Sequence, residues 1–295
     1  MKVEIRDEGF RAVVGDDVEF ETLGSDFAFT EGPVWHPMEK HLIFSDMPGD
    51  HMRRWSPADG ITTFRKPSNK ANGNAYEAQG RIVTCEHATS RVSRTGLDGE
   101  IEVLATHHGD KELNSPNDII VARSGAIYFS DPTYGRMPVF GVEREQELDF
   151  QGVFRIDGDD GSLQLLVDDF LQPNGLCFSA DESRLFVNDT DRGHVRVFDH
   201  GADGTLSNGR VWAETVGEGD GAPDGMKIDT AENLYCTGPG GIHVFAPDAT
   251  CLGVILTPER TANFAWGGDD MRDFFITAST SLYRIRVQVP GLKAF

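Results

Sequence analysis

The sequence predicts an all-β fold, a six-bladed β-propeller of four-stranded antiparallel blades, built as one domain over residues 1–295. Three observations predict it. A short motif recurs six times along the 295 residues. Each recurrence carries several short apolar runs and no amphipathic stretch long enough for a helix. The 33 glycines fall between those runs, where tight turns are needed.

In order, the repeat units are EGPVWHPMEKHLIFSDM from Glu31, NGNAYEAQGRIVTCEH from Asn72 and NDIIVARSGAIYFSDP from Asn117. The later three are NGLCFSADESRLFVNDT from Asn174, DGMKIDTAENLYCTGPGGIHVF from Asp224 and NFAWGGDDMRDFFITASTSLYRI from Asn263. Their starts are 41, 45, 57, 50 and 39 residues apart, and a period of about 40–50 residues with several strands per unit fits a propeller blade. The longest interval contains Thr133 to Gln151, which reads as an inserted loop. The sixth unit has about three strands before Pro290, one short of a blade. The strand-like run Val18 to Leu23 precedes the first unit and is expected to supply the missing strand, which would close the ring without a free edge. Residues 1–17 are then an N-terminal extension.

A formal net charge of −21 repels phosphate backbones and anionic lipid headgroups, so neither nucleic acid nor membrane is an expected partner. Met1 to Phe20 carries seven charged residues from Glu4 to Asp17 and no apolar core of a signal peptide. No run approaches the ~20 apolar residues that span a bilayer. Cys85, Cys177, Cys236 and Cys251 show no C-x-x-C spacing, and the first three lie in apolar runs where a reduced thiol packs as a small hydrophobe. The expected compartment is the cytoplasm; oligomeric state is left open.

In a propeller the first strand of each blade lines the central channel, so equivalent positions meet around the axis. The opening residues of the units are Glu31, Asn72, Asn117, Asn174, Asp224 and Asn263. Two carboxylates and four amides offer oxygen and no sulfur or imidazole, a set suited to Ca²⁺, Mg²⁺ or Mn²⁺. Asn-Gly and Asp-Gly are also ordinary turn formers; Glu31 is not a turn residue, which favours the cation reading.

These segments resemble the regucalcin/gluconolactonase family (senescence marker protein, gluconolactonase and luciferin-regenerating enzyme relatives), most of all its bacterial gluconolactonase branch. The resemblance runs from about Glu31 to Arg286 and is carried by EGPVW from Glu31, VTCEH from Val83, NSPNDI from Asn114, IYFSDPTYG from Ile127, PNGL from Pro173, PDGM from Pro223 and TGPGGI from Thr237. It implies one divalent cation in the channel, calcium foremost with magnesium, manganese, zinc or iron as alternatives, held by Glu31, Asn174 and Asp224. It implies a substrate contact at Asn117, and further pocket residues at Asn72, Asn74 and His87. Where regucalcin-like members carry an Arg two residues before the matching Asn, this chain has Ser115, so their sugar contacts do not transfer.

The activity so implied is metal-dependent hydrolysis of a small-molecule sugar lactone, such as gluconolactone, to the aldonic acid. Asp224 is the expected general base, with activation of the water by the cation itself as the competing account. Two other readings stay open: a hydrolase of another lactone, ester or organophosphate on the same scaffold, and a non-enzymatic calcium-binding propeller. Asp131 and Tyr134 follow a strand, where a structural role is the first reading and a place at the pocket rim the alternative. Asp118 is expected to point away from Asn117 and bond backbone.

Overall fold

The computed structural model describes residues 2–295 and is nearly all strand, six small antiparallel sheets arranged as the blades of a propeller. Blade 1 comprises Thr30–His36, His41–Asp46, His51–Ser56 and Gly60–Arg65. Blade 2 comprises Ala71–Tyr76, Ile82–Glu86, Arg91–Thr95 and Ile101–Ala105, and blade 3 Ile119–Val121, Ile127–Asp131, Gln151–Ile156 and Leu163–Phe170. Blade 4 follows with Pro173–Phe178, Arg184–Asp189, His194–His200 and Leu206–Glu214. The strands of blade 5 are Met226–Ile228, Leu234–Gly238, Gly241–Phe245 and Cys251–Leu256. Blade 6 draws Thr261–Gly267, Asp273–Ala278 and Ser281–Arg286 from the end of the chain.

The missing strand comes from the N-terminal side. Glu21–Gly24 pairs antiparallel with Ser281–Arg286, with Glu21 opposite Arg284 and Thr22 opposite Tyr283. Early and late segments therefore hydrogen-bond in one sheet, and the ring has no open seam. The residues ahead of Val18 are also bound in. Val3–Ile5 adds a fifth, outer strand to blade 5, with Val3 opposite Ile255. A one-turn helix, Gly9–Val13, then buries Phe10.

Inner strands are buried on both faces and sit between blades, which is why they read as EGPVW or PNGLCF rather than as alternating patterns. Outer strands such as Gly60–Arg65 and Leu206–Glu214 face solvent and are polar. The interblade core is aromatic, including Phe44, Phe129, Phe154, Phe186, Phe264 and Phe274, all fully buried. The inserted loop begins with a short 3₁₀ turn, Tyr134–Arg136, and rejoins blade 3 at Gln151. The segment DGDDG is the hairpin turn between the last two strands of blade 3, closed by Gly161 N–H to the Asp157 carbonyl at 3.1 Å. Among the described residues no helix is long and apolar enough to cross a membrane.

Candidate active site

The opening residues form a ring because the residue after one packs against the opening residue of the next blade. A Cβ on Gly32 would lie 2.0 Å from the Asn72 carbonyl oxygen, and one on Gly175 would lie 2.0 Å from that of Asp224. Gly73 stands likewise against Asn117, and Gly225 against Asn263. Only glycine permits these approaches, which gives the recurrent Asn-Gly and Asp-Gly pairs a purpose other than turning. Asn263 closes the circle, its Nδ2 donating to Glu31 Oε2 at 3.2 Å. The second strands reinforce the ring: Ser45 Oγ donates to the Asn72 carbonyl at 2.7 Å, and Asn188 Nδ2 to that of Asp224 at 2.6 Å.

A carboxylate at the end of the second strand braces the loop that leads into the ring. Asp46 accepts from Ala28 N–H, Asp189 from Leu171 and Gln172 N–H, and Asp131 from Asn114 and Ser115 N–H at 2.8 Å each. Asp131 is fully buried beneath the NSPN segment and braces it, a structural role away from the pocket rim. Burial pushes its pKa up to about 7, against the two backbone bonds that favour the carboxylate.

Glu31 and Asp224 converge. Their side chains are within hydrogen-bonding reach: desolvation and then the charge of Asp118 raise the pKa of Glu31, while its hydrogen bond with Asp224 lowers it, and desolvation and then the charge of Glu31 raise that of Asp224, so the pair retains a proton well above the ordinary carboxylate range. Glu31 is buried, and its Oε2 accepts from Gly32 N–H at 2.6 Å. Protein packs closely around Asp224, yet it keeps partial contact with solvent, so a ligand can reach it. Neither acid forms a salt bridge within 4 Å with a described Lys, Arg or His; Arg260 acts on Asp224 only at longer range.

Asn174 lies in the same ring with its orientation set by Thr190. The Thr190 hydroxyl donates to the Pro223 carbonyl at 2.6 Å and therefore accepts from Asn174 Nδ2 at 3.2 Å. That leaves Asn174 Oδ1 as the group turned toward a ligand. The side chain of Asn117 is buried and bonds to no described residue, while its backbone is held by Ser130 and Gly73. Glu31, Asn174 and Asp224 thus fit a hard divalent cation: two acids without a countercharge and an amide oxygen without a donor. No cluster of three or more His, Cys, Asp or Glu side chains gathers among the described residues, so such an ion would rely on amide as well as carboxylate oxygen.

The other expected pocket residues divide. His87 is fully buried, with Nε2 accepting from Asn72 Nδ2 at 3.1 Å and Nδ1–H donating to the Phe140 carbonyl at 3.1 Å. Desolvation pushes its pKa down to about 4, so it is neutral near pH 7, and both ring nitrogens are engaged by protein groups, which suits a role in positioning Asn72. The Asn72 Oδ1 is left without a partner among the described residues. Asn74 uses its side chain to lock blade 1 to blade 2: Nδ2 donates to the Gly32 carbonyl at 2.8 Å and Oδ1 accepts from Thr84. Its geometry supports a positioning role and not a substrate contact. Ser115, where relatives carry Arg, is buried and ties the inserted loop through Gly135 N–H at 2.9 Å.

Three residues matter more than the sequence indicated. Asp118 does bond backbone, at Ile119 N–H, but it is buried within the field of Glu31 and Asp224, and its Oδ2 has no partner. Asn263 orients Glu31, and Thr190 orients Asn174. Asp118 follows a ring position and Asn263 is one, but nothing in the sequence singled out Thr190. Tyr134 sits close enough to Asp224 and Asp189 for both to raise its pKa, after the larger effect of burial. It stands beside the candidate site. A cavity of about 700 Å³ opens at the opposite end of the channel from Glu31, Asn174 and Asp224, at the level of Val34, Ala75, Ile120, Cys177, Lys227 and Trp266.

The propeller has relatives among known proteins. Residues 29–280 match the SMP-30/Gluconolactonase/LRE-like region. A gluconolactonase of Zymomonas mobilis is 33% identical, the match covering 95% of this chain and 84% of that protein. A pentonolactonase of Haloferax volcanii is 27% identical over 84% of this chain and 81% of its own length. The solved structure of a gluconolactonase from Xanthomonas campestris superposes with a TM-score of 0.90 at 33% identity, covering 97% of this chain and 95% of that one.

Proposed function

The chain belongs to the SMP-30/Gluconolactonase/LRE-like family, and from that premise we propose that it hydrolyses a sugar lactone to the aldonic acid at the Glu31–Asn174–Asp224 end of the channel. The observation that carries the reading is the meeting of two uncompensated carboxylates, one buried and one partly open to solvent, with a free amide oxygen, in a family whose members include a gluconolactonase and a pentonolactonase.

Glu31, Asn174 and Asp224 would hold one divalent cation, with calcium the first candidate because every donor is oxygen. When bound, the cation would supply Lewis-acid polarisation of the lactone carbonyl. Asp224 is the proposed general base: it faces solvent, whereas Glu31 is enclosed and fixed by Gly32 and Asn263. Its carboxylate takes a proton from water as the water oxygen bonds to the lactone carbon. It returns that proton to the ring oxygen as the ester C–O bond breaks, so one water is consumed and one hydroxy acid is released. Proximity of Glu31 raises the basicity of Asp224; the cation opposes that effect. Asn117 and Asn72 present unpartnered amide groups suited to sugar hydroxyls.

The test is acid release from a panel of gluconolactone, pentonolactones and dihydrocoumarin, in EDTA and after each metal is restored. Turnover of an aldonolactone that EDTA abolishes and one metal restores supports the proposal. Preference for dihydrocoumarin would move the assignment to another ester, and EDTA-insensitive turnover would remove the cation from it.

A further inference from the structure

The cavity at the opposite mouth has an unusual lining. The third residue after each opening residue faces it, and the six are Val34, Ala75, Ile120, Cys177, Lys227 and Trp266. Five blades place a neutral, mainly apolar side chain there, which is what packing at this level requires. Blade 5 places an ammonium. Lys227 is half-buried, and its Nζ makes no ion pair or hydrogen bond among the described residues. Asp118, deeper in the channel, feels its charge but lies beyond pairing distance. Holding a cation in an apolar ring disfavours folding unless something offsets it.

The walls around this ring include Trp35, Tyr76 and Phe178 beside Trp266, and the lining also carries Arg81 and Arg94 paired with Glu77, Arg123 paired with Glu182, and Lys293. The far side is the chain's own C-terminus. The backbone at Pro290 is tied to Thr230 N–H at 3.0 Å and Gly291 N–H to the Met271 carbonyl at 2.9 Å. The tail then borders the cavity and ends with the Phe295 ring edge-on to His36 and Tyr76, at 5.1 and 5.9 Å. The space that remains, about 700 Å³, lies in the range that holds small organic ligands.

We propose that this far mouth is a second small-molecule site, separate from the reactive end, that binds a monocarboxylate with an aromatic or branched apolar body, its oxyanion on Lys227. An apolar ring with one ammonium matches such a ligand. A neutral apolar molecule would leave Lys227 uncompensated, and a polyanion would be repelled by a chain of net charge −21.

The test is isothermal titration of the full-length protein with 3-phenylpropanoate and, as its neutral match, 3-phenylpropanamide. EDTA is present throughout, so that a cation at the reactive end cannot capture the carboxylate. The expected result is one site for the acid and at least tenfold weaker binding of the amide. Lys227→Met should weaken the acid at least tenfold and leave the amide unchanged, and Lys227→Arg should retain the acid. Ala75→Phe, which fills the cavity from another blade, should abolish binding of both, while Glu31→Gln should change neither. Thermal melts confirm that each variant is folded. Equal affinity for acid and amide, undiminished acid binding in Lys227→Met, loss of binding in Glu31→Gln, or no binding by the unmodified protein at millimolar concentration would each overturn the proposal.

Discussion

Replacing Glu31 by glutamine should stabilise the cation-free protein while removing its response to the cation. Glu31 and Asp224 are within hydrogen-bonding reach of one another, and Asp118 adds a third acid to the same low-dielectric region. Two carboxylates about 4 Å apart repel by about 4 kcal/mol at an effective dielectric near 20. Taking up a proton instead costs about 1.4 kcal/mol for every unit by which the pKa is raised. The cation-free fold therefore carries a penalty of about 2–4 kcal/mol near neutral pH. The Glu31→Gln side chain keeps the useful contacts: its amide oxygen can accept from Gly32 N–H and Asn263 Nδ2, and its amide nitrogen can donate to Asp224. About half of the penalty should be recovered, which for a domain of this size raises the melting temperature by about 2–3 °C. The unmodified protein should gain about 2.7 kcal/mol at a cation concentration 100 times its Kd, and the variant almost none. The assay is a thermal melt at pH 7.5 in EDTA and then in millimolar Ca²⁺ or Mn²⁺. A variant that melts below the parent in EDTA, or that keeps the parent's cation shift, would refute the reasoning.

Asp224→Asn should lower kcat by about 10²–10⁴ even at saturating metal, measured by acid release; near-normal turnover would remove Asp224 as base. Gly175→Ala sets a methyl 2.0 Å from the Asp224 carbonyl and 2.8 Å from Asn188 Nδ2. It should cost about 3 kcal/mol and most of the activity, which a melt and an activity assay on the same preparation will register. The pKa of His87, pushed down to about 4 from 6.5, contributes stability that is complete above pH 6.5. That stability is lost as the pH falls toward 4, because only the unfolded chain then gains the proton, with a ceiling of about 3 kcal/mol. His87→Gln keeps both hydrogen bonds, so the stability difference between parent and variant, followed by denaturant melts, should shift toward the variant across that interval. Removing residues 1–25 deletes the strand Glu21–Gly24 and exposes the edge of Ser281–Arg286; size-exclusion chromatography should find aggregate, whereas removing residues 1–6 should only lower the melting temperature.

Much of the site could be read without coordinates because it repeats. Glu31, Asn174 and Asp224 each open a unit, and any fold that superposes the units brings them together. Asn74 and His87 were harder to place. Both sit in the segments that resemble the family, but a motif does not reveal whether an amide or imidazole faces a ligand or its own neighbours. Asn74 is consumed between Gly32 and Thr84, and His87 between Asn72 and Phe140. Asp131 allowed a rim place as the alternative reading because it ends a strand at the reactive end, and that same position lets it cap the backbone of Asn114 and Ser115. Asp118 was undervalued because it follows a ring residue, and strand alternation would send it elsewhere. Irregular backbone where the chain enters blade 3, whose inner strand starts only at Ile119, leaves it in the channel.

The sequence by itself determined the number of blades, the closure by the N-terminal strand and the six positions that line the axis, because these follow from local period and from counting strands. Which ring oxygens are free was decided by tertiary structure alone. The hydroxyl of Thr190 turns Asn174, Asn263 holds Glu31, and a lysine stands where five other blades place neutral side chains. Each of these outcomes depends on a neighbour supplied by another strand or another blade, and such neighbours meet only when the ring has closed.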